Sequence, residues 1–100
     1  MTREELYKLV SDGEIHVVEF GADNCAACRA AGMVQDRLKK KYPDVSFTQV
    51  RLEASPELSA DFTIDHLPYT QVWKDKEIQA EFQGLCSAKK LEEIIEDLKS

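Results

Sequence analysis

Long apolar runs, cysteine, proline and glycine are all scarce in this chain of 100 residues. No segment approaches the roughly 18 consecutive apolar residues that would span a bilayer, and the first residues are too acidic for a secretory signal peptide. Four glycines and three prolines exclude a collagenous or low-complexity chain. Three cysteines are too few for a domain of this size that is stabilised mainly by disulfide bonds. We therefore expect a cytoplasmic protein that does not interact with a membrane.

Basic residues are also in the minority. The 13 lysines and arginines stand against 19 aspartates and glutamates, which gives a formal net charge of -6. Because negative charge repels phosphate backbones, we expect no nucleic-acid partner. The remaining composition, 43% hydrophobic and 32% charged, is typical of one globular domain. We expect this domain to cover residues 1–100 and to be a monomer.

Signals for helices and strands alternate along the chain. Thr2 and Glu5 form a capping box ahead of a first helix, and Ser55-Pro56 and Ser87 are further signals for a helix start. The predicted order is a helix to about residue 12, a strand over 15–20, a helix from about 27 to 41, a strand over 45–52, a short helix after 56, hairpin strands over 69–73 and 78–82, and a helix after 87. This order predicts an α/β fold in which helices cover both faces of one mixed sheet.

The tetrapeptide Cys25-Ala26-Ala27-Cys28 carries the clearest chemical signal. It follows an apolar strand, predicted to be buried on both faces, and the turn Gly21 to Asn24, so Cys25 is predicted at a helix start. Free N–H groups and the helix dipole at such a position lower the pKa of a thiol. Cys28 could then resolve a mixed disulfide formed by Cys25. The pattern therefore predicts dithiol–disulfide chemistry.

Two other interpretations of this pair stay open. A C-x-x-C pair can be half of a zinc site, although only Cys86, His16 and His66 remain to complete it and the chain has no second C-x-x-C. The pair could also be two small buried residues without chemistry. We favour redox chemistry and expect no metal and no cofactor.

Three separated segments resemble the thioredoxin family, and the resemblance extends over about residues 6–98. Val17 to Cys28 is similar to the family's strand, active-site loop and helix start. Leu67-Pro68 is similar to its cis-proline loop, and Gly84 falls at its glycine after the final strand. The resemblance implies a thioredoxin fold with four or five strands and general disulfide reduction.

The same resemblance implies roles for individual residues. Cys25 would be the attacking thiol, Cys28 the resolving thiol, and Pro68 a cis residue that faces them. The backbone of Leu67 would pair with an extended substrate, and Gly84 completes the expected substrate-binding set.

Glu19 is the third residue that we expect to be catalytic. It lies within the apolar strand, where a charge is costly unless it is paired or protonated. The resemblance places it where the family usually buries a proton-carrying aspartate, but Gln49 replaces the lysine that commonly partners it. We predict a raised pKa for Glu19, because Gln49 offers a hydrogen bond but no charge. A carboxylate that reaches solvent at the strand's edge is the alternative.

Four further positions depart from the family's common pattern. Gly21 and Asn24 replace tryptophans, which predicts a less aromatic substrate face, and Met33 replaces a helix proline. Ala27 replaces the proline between the cysteines and keeps its backbone N–H. We predict that this N–H donates to the Cys25 thiolate and stabilises the reduced form.

These observations predict a thiol–disulfide oxidoreductase. Its partners would be disulfide-containing protein substrates and an electron-donating disulfide reductase. One rival is a redox adaptor dedicated to a single partner. An alternative of another class is a non-enzymatic module that binds metal or peptide through Cys25 and Cys28. We expect Cys86 to be structural, and Tyr69 and Trp73 to serve packing.

Overall fold

Four helices and four strands alternate in a computed structural model, which describes residues 1–100. They are α1 (Arg3–Leu9), β1 (His16–Gly21), α2 (Ala26–Lys41), β2 (Ser46–Arg51), α3 (Glu57–Asp61), β3 (Tyr69–Lys74), β4 (Glu77–Gln83) and α4 (Ala88–Lys99). Every predicted element is present, although α1 ends at Leu9, earlier than its sequence pattern predicts. None of the helices combines the length and apolar character needed to cross a membrane.

The strands form one mixed sheet in the order β2-β1-β3-β4. Strand β1 runs parallel to β2 and antiparallel to β3, and β3 pairs antiparallel with β4. All six residues of β1 are buried, which confirms the prediction of a strand buried on both faces. The predicted mixed sheet with helices on both faces is confirmed, with four strands.

Each face of the sheet has its own apolar core. Val17 and Val18 belong to different cores, because successive side chains of a strand point to opposite faces. The core beneath α1 and α3 consists of Leu6, Val10, Val18, Phe20, Val50, Leu58, Tyr69 and Trp73. The core beneath α2 and α4 consists of Ile15, Val17, Leu38, Tyr42, Val45, Val72, Cys86, Leu91 and Ile95. The predicted packing roles of Tyr69, Trp73 and Cys86 are thus confirmed.

The local signals at helix starts are confirmed with one exception. The Thr2 hydroxyl accepts from the Glu5 N–H, and the Glu5 carboxylate accepts from the Thr2 N–H. The Ser87 hydroxyl accepts from the N–H of Lys90. The predicted Ser55 cap is wrong: Pro56 occupies the cap position with helical dihedral angles, while the Ser55 side chain is buried and does not cap α3.

The predicted hairpin is confirmed, and its turn is tight. Asp75 and Lys76 alone separate β3 from β4, and both have positive φ, 54° and 67°. Positive φ at both central residues is the geometry of a type I′ turn, whose twist matches that of the flanking strands.

Candidate active site

Cys25 lies at the start of α2, as predicted. It is the N-cap residue, with an extended backbone, and its Sγ accepts a hydrogen bond from the N–H of Cys28 at 3.1 Å. In this disulfide form the donor is therefore Cys28 and not Ala27, and the predicted bond from the Ala27 N–H to the thiolate of the reduced chain stays a prediction. An N-cap side chain accepts from the second or third helical residue, and here the third residue, Cys28, makes the bond.

Cys25 and Cys28 form a disulfide across the first turn of α2, with their Cα atoms 5.1 Å apart. Cys28 is only 8% exposed, whereas Cys25 is half-buried. A bulky reactant therefore reaches Cys25 more easily than Cys28.

Glu19 points into the same region from β1. It is 3% exposed, and its Oε2 has no hydrogen-bond partner. Burial raises the pKa of Glu19 from 4.5 to about 7, which confirms the predicted direction. The side chain is buried in a central strand, so the alternative of a carboxylate exposed at the edge of the sheet is wrong.

Gln49 does not supply the hydrogen bond that its position opposite Glu19 predicts. The two residues are partners in the parallel pairing of β1 with β2. The Gln49 amide instead lies against Gly32 of α2, so closely that a Cβ at position 32 would be 2.8 Å from Nε2. Gly32 thus provides the space that Gln49 occupies.

Gly21 lies between the buried acid and the second cysteine. A Cβ at this position would be 3.2 Å from Sγ of Cys28 and 3.6 Å from Oε1 of Glu19. No side chain at position 21 therefore separates the carboxyl group from the sulfur. The sequence shows only the loss of an aromatic residue at position 21, whereas the approach of Cys28 and Glu19 appears only in three dimensions.

A cavity of about 310 Å³ lies between α2 and β2. Its lining includes Glu19, Gly21, Cys28, Gly32, Met33 and Gln49. Met33 and Gln49 are exposed, so the cavity links the buried carboxyl group to the surface. A polar cavity of this size has room for several water molecules.

Charged side chains hold the turn that precedes Cys25. The backbone N–H of Asp23 donates to Oε2 of Glu53 at 2.7 Å, and the Asp23 carboxylate pairs with Arg51. A guanidinium nitrogen of Arg29 donates to the Asp23 carbonyl at 3.4 Å. Arg51 and Glu53 are remote from Asp23 in sequence, and no sequence spacing predicts their contacts with this turn.

The three predicted substrate-binding residues lie at the same end of the sheet as the disulfide. The Leu67-Pro68 peptide is cis, as predicted, and the Pro68 carbonyl accepts from the N–H of Gly84 at 2.7 Å. The Leu67 side chain packs against the core beneath α1 and α3. Pro68 precedes β3 and Gly84 follows β4, and the adjoining end of β1 leads to Cys25.

The remaining candidate ligands lie apart. Nε2 of His16 contacts Oδ1 of Asp12 at 2.7 Å at the far end of β1, His66 is exposed, and Cys86 is in the core. No group of three or more histidine, cysteine, aspartate and glutamate side chains is arranged to hold a metal ion.

Comparison with known proteins gives one consistent answer. The family model described as Thioredoxin matches residues 1–97. The X-ray structure of Fasciola hepatica thioredoxin is 30% identical, covers 96% of this chain and 93% of its own, and superposes with a TM-score of 0.84. Mitochondrial thioredoxin 3 of Saccharomyces cerevisiae, in its oxidized form, is 24% identical with a TM-score of 0.85 over 96% of this chain and 90% of its own, which shows the fold.

Sequence relatives agree, but several are much longer. Thioredoxin domain-containing protein 2 of Mus musculus is 34% identical over an aligned length of 99 residues, and the alignment covers 97% of this chain and 19% of the mouse protein. The chain spans less than two thirds of the length of the first curated relatives that it matches.

Proposed function

This chain belongs to the thioredoxin family, and we propose that it reduces disulfide bonds of protein substrates through Cys25 and Cys28. Family membership supports thiol–disulfide oxidoreductase activity in general. The observation that carries the specific proposal is the position of Cys25 at the start of α2, where its Sγ accepts the Cys28 N–H and is more accessible than Cys28.

The first step uses Cys25. The N–H of Cys28 already donates to the Cys25 sulfur in the disulfide form, and in the reduced chain this donor and the positive end of the α2 dipole would stabilise the thiolate. The thiolate attacks one sulfur of the substrate disulfide, so that a bond from Cys25 to this sulfur forms and the substrate S–S bond breaks. The other substrate sulfur leaves as a thiolate and takes up a proton.

The second step uses Cys28 and Glu19. The thiol proton of Cys28 passes to the Glu19 carboxylate, and the thiolate attacks the Cys25 sulfur. The Cys25–Cys28 disulfide forms, and the second substrate sulfur leaves and is protonated. Two electrons have then moved to the substrate. A pKa of about 7 suits Glu19 to this exchange near neutral pH, and the cavity gives it a route to solvent.

We propose that Leu67, Pro68 and Gly84 bind an extended segment of the substrate. The hydrogen bond between Pro68 and Gly84, at the sheet end from which Cys25 emerges, supports this assignment. We further propose that a disulfide reductase regenerates the dithiol, and that the chain works as a monomer in the cytoplasm. Cell fractionation tests the location, and a mitochondrial signal would contradict it.

Trapping distinguishes the roles of the two cysteines. Cys28→Ser should accumulate mixed disulfides with proteins of a lysate, because Cys25 can attack but nothing resolves the adduct. Cys25→Ser is the matched control and should trap few, since Cys28 is buried. The wild-type chain should also reduce insulin in the presence of a dithiol. Equal trapping by both variants would contradict the assigned roles. No insulin reduction together with stoichiometric zinc would favour the metal-binding alternative.

Glu19→Gln tests the proton-transfer role. The variant keeps the shape of the side chain but cannot accept a proton, so we expect the mixed disulfide to resolve about tenfold more slowly or worse. Stopped-flow measurement of the release of a model substrate thiol follows this step. An unchanged rate between pH 6 and 8 would remove Glu19 from the mechanism.

A further inference from the structure

A second concave site lies at the end of the sheet remote from the disulfide. It is a groove of about 620 Å³ between α1 and the β3–β4 hairpin. Trp73 lines this groove and pairs with His16, the first residue of β1. The loop that leads to Cys25 begins after Gly21, the last residue of β1. Along a six-residue strand these points are roughly 15 Å apart. The groove is therefore separate from the proposed active site.

The walls of this groove are apolar and aromatic. Tyr7, Val10, Trp73 and Ile78 line it, and the Tyr7 ring packs edge-on against Trp73 with centroids 5.6 Å apart. Tyr7 is 45% exposed, so much of its side chain is open to solvent. The volume lies within the range of about 300–1,000 Å³ that is typical of small-molecule sites.

The rim of the groove is positive in a chain that is negative overall. Lys8 and Lys76 line it, and neither forms an ion pair. The Arg3 guanidinium lies over the Tyr7 ring, 5.9 Å from its centroid. Glu77 is the one acidic lining residue. With a net charge of -6 for the whole chain, this cluster is a local reversal of charge.

We propose that the groove binds a small aromatic anion, a carboxylate or sulfonate carried on a flat ring. The ring packs against Tyr7 and Ile78, and the anionic group lies at the ammonium groups of Lys8 and Lys76. Apolar walls favour the ring, and the unpaired cations favour a negative charge over a neutral or positive one.

A pair of probes that differ in one charged group tests this proposal. They are 8-anilinonaphthalene-1-sulfonate and its uncharged parent, N-phenyl-1-naphthylamine. Trp73 is the only tryptophan, so energy transfer from it shows that a probe is bound to the folded chain, and the variants described next locate the probe in the groove. We expect saturable binding of the sulfonate with energy transfer, and an affinity severalfold higher than that of the neutral probe.

Charge variants then locate the anionic group. Lys8→Gln/Lys76→Gln should weaken sulfonate binding about fivefold and leave the neutral probe unchanged within about twofold, because exposed charges contribute modestly. Lys39→Gln/Lys89→Gln makes the same change in net charge outside the groove and should leave both affinities unchanged. Tyr7→Ser should weaken both probes.

Three results of the probe-binding measurements would overturn the proposal. They are binding without energy transfer, equal affinity for the two probes, and equal effects of the two lysine pairs. A dimer in sedimentation that dissociates in Tyr7→Ser would also overturn it, since a second copy of the chain would then occupy the groove. Insulin reduction by Lys8→Gln/Lys76→Gln should match that of the wild type, so the outcome is independent of the proposed function.

Discussion

Glu19 places a carboxyl group at the centre of a wholly buried strand, and its ionisation should affect stability. The pKa of Glu19 is about 7 in the folded chain, above its ordinary value of 4.5, and the cause is burial. Between pH 4.5 and about pH 7 the folded chain therefore binds more protons than the unfolded chain does. The stability that Glu19 contributes is therefore complete below about pH 4.5 and is lost as the pH rises through 7.

Glu19→Gln should remove this pH dependence. From pH 5 to pH 8 we expect the stability of the variant to rise by about 1–3 kcal/mol relative to the wild type, measured by urea unfolding of the oxidised protein. Glu93→Gln, an exposed position on α4, is the control and should show no such trend. If the difference in free energy of unfolding between Glu19→Gln and the wild type stayed constant from pH 5 to pH 8, Glu19 would not titrate in this range.

Cys86 should be chemically inert in the folded chain. Burial raises the pKa of its thiol, so little thiolate forms near neutral pH. After reduction of the protein, iodoacetamide at pH 7 should label Cys25 well before Cys86, and Cys86 only after unfolding. Mass spectrometry of the labelled peptides measures the labelling rates of Cys25 and Cys86. Rapid labelling of Cys86 in the folded protein would show that its region of the core opens readily.

At the scale of the elements, the start of α2 determines which N–H group reaches the sulfur of Cys25. Ala27 is the second residue of the helix, and Cys28, the third, already makes the hydrogen bond. Proline is tolerated in the first turn of a helix, where N–H groups have no partner within the helix.

If the Cys28 N–H remains the only donor to Cys25 after reduction, Ala27→Pro should fold and leave the redox potential nearly unchanged. We expect a shift of less than about 15 mV, since 30 mV corresponds to roughly 1.4 kcal/mol and the Cys28 donor is retained. Equilibration with glutathione measures the potential, and Ala26→Pro, one position earlier, is the matched control. A shift of tens of millivolts in Ala27→Pro alone would show that the Ala27 N–H binds the thiolate in the reduced state.

At the scale of the whole molecule, the sheet separates the only tryptophan from the redox centre. Trp73 lies in the core beneath α1 and α3, and its indole N–H donates to Oε1 of Gln71 at 2.8 Å. Its emission should change little when the disulfide is reduced and strongly when the chain unfolds. Spectra in the oxidised, reduced and urea-unfolded states measure this. A several-fold change on reduction would place Trp73 near the disulfide.

The parts of this molecule that follow from local chemistry could be predicted from sequence. Capping residues, the hairpin turn and the helical spacing of apolar residues depend on interactions among residues close in sequence. The helices, the strands and the thiol at a helix start could therefore be predicted. The packing around Glu19 could not be predicted from the sequence. Gly21 and Gly32 acquire their roles from Cys28 and Gln49, which reach them from other elements. The Ser55 prediction failed for a related reason, because its hydroxyl accepts a hydrogen bond from the terminal ammonium group of Met1, which is remote in sequence.

The burial of β1 has a consequence for hydrogen exchange. Strand β1 has a hydrogen-bonded neighbour on each side and apolar cores on both faces, whereas β2 and β4 are edge strands. Backbone amides in such a strand exchange with deuterium only when the whole domain opens, while edges exchange through local fluctuations. The loop to Cys25 is thus attached to the segment that opens last. Fraying at the edges of the sheet then leaves the attachment of the reactive sulfur intact.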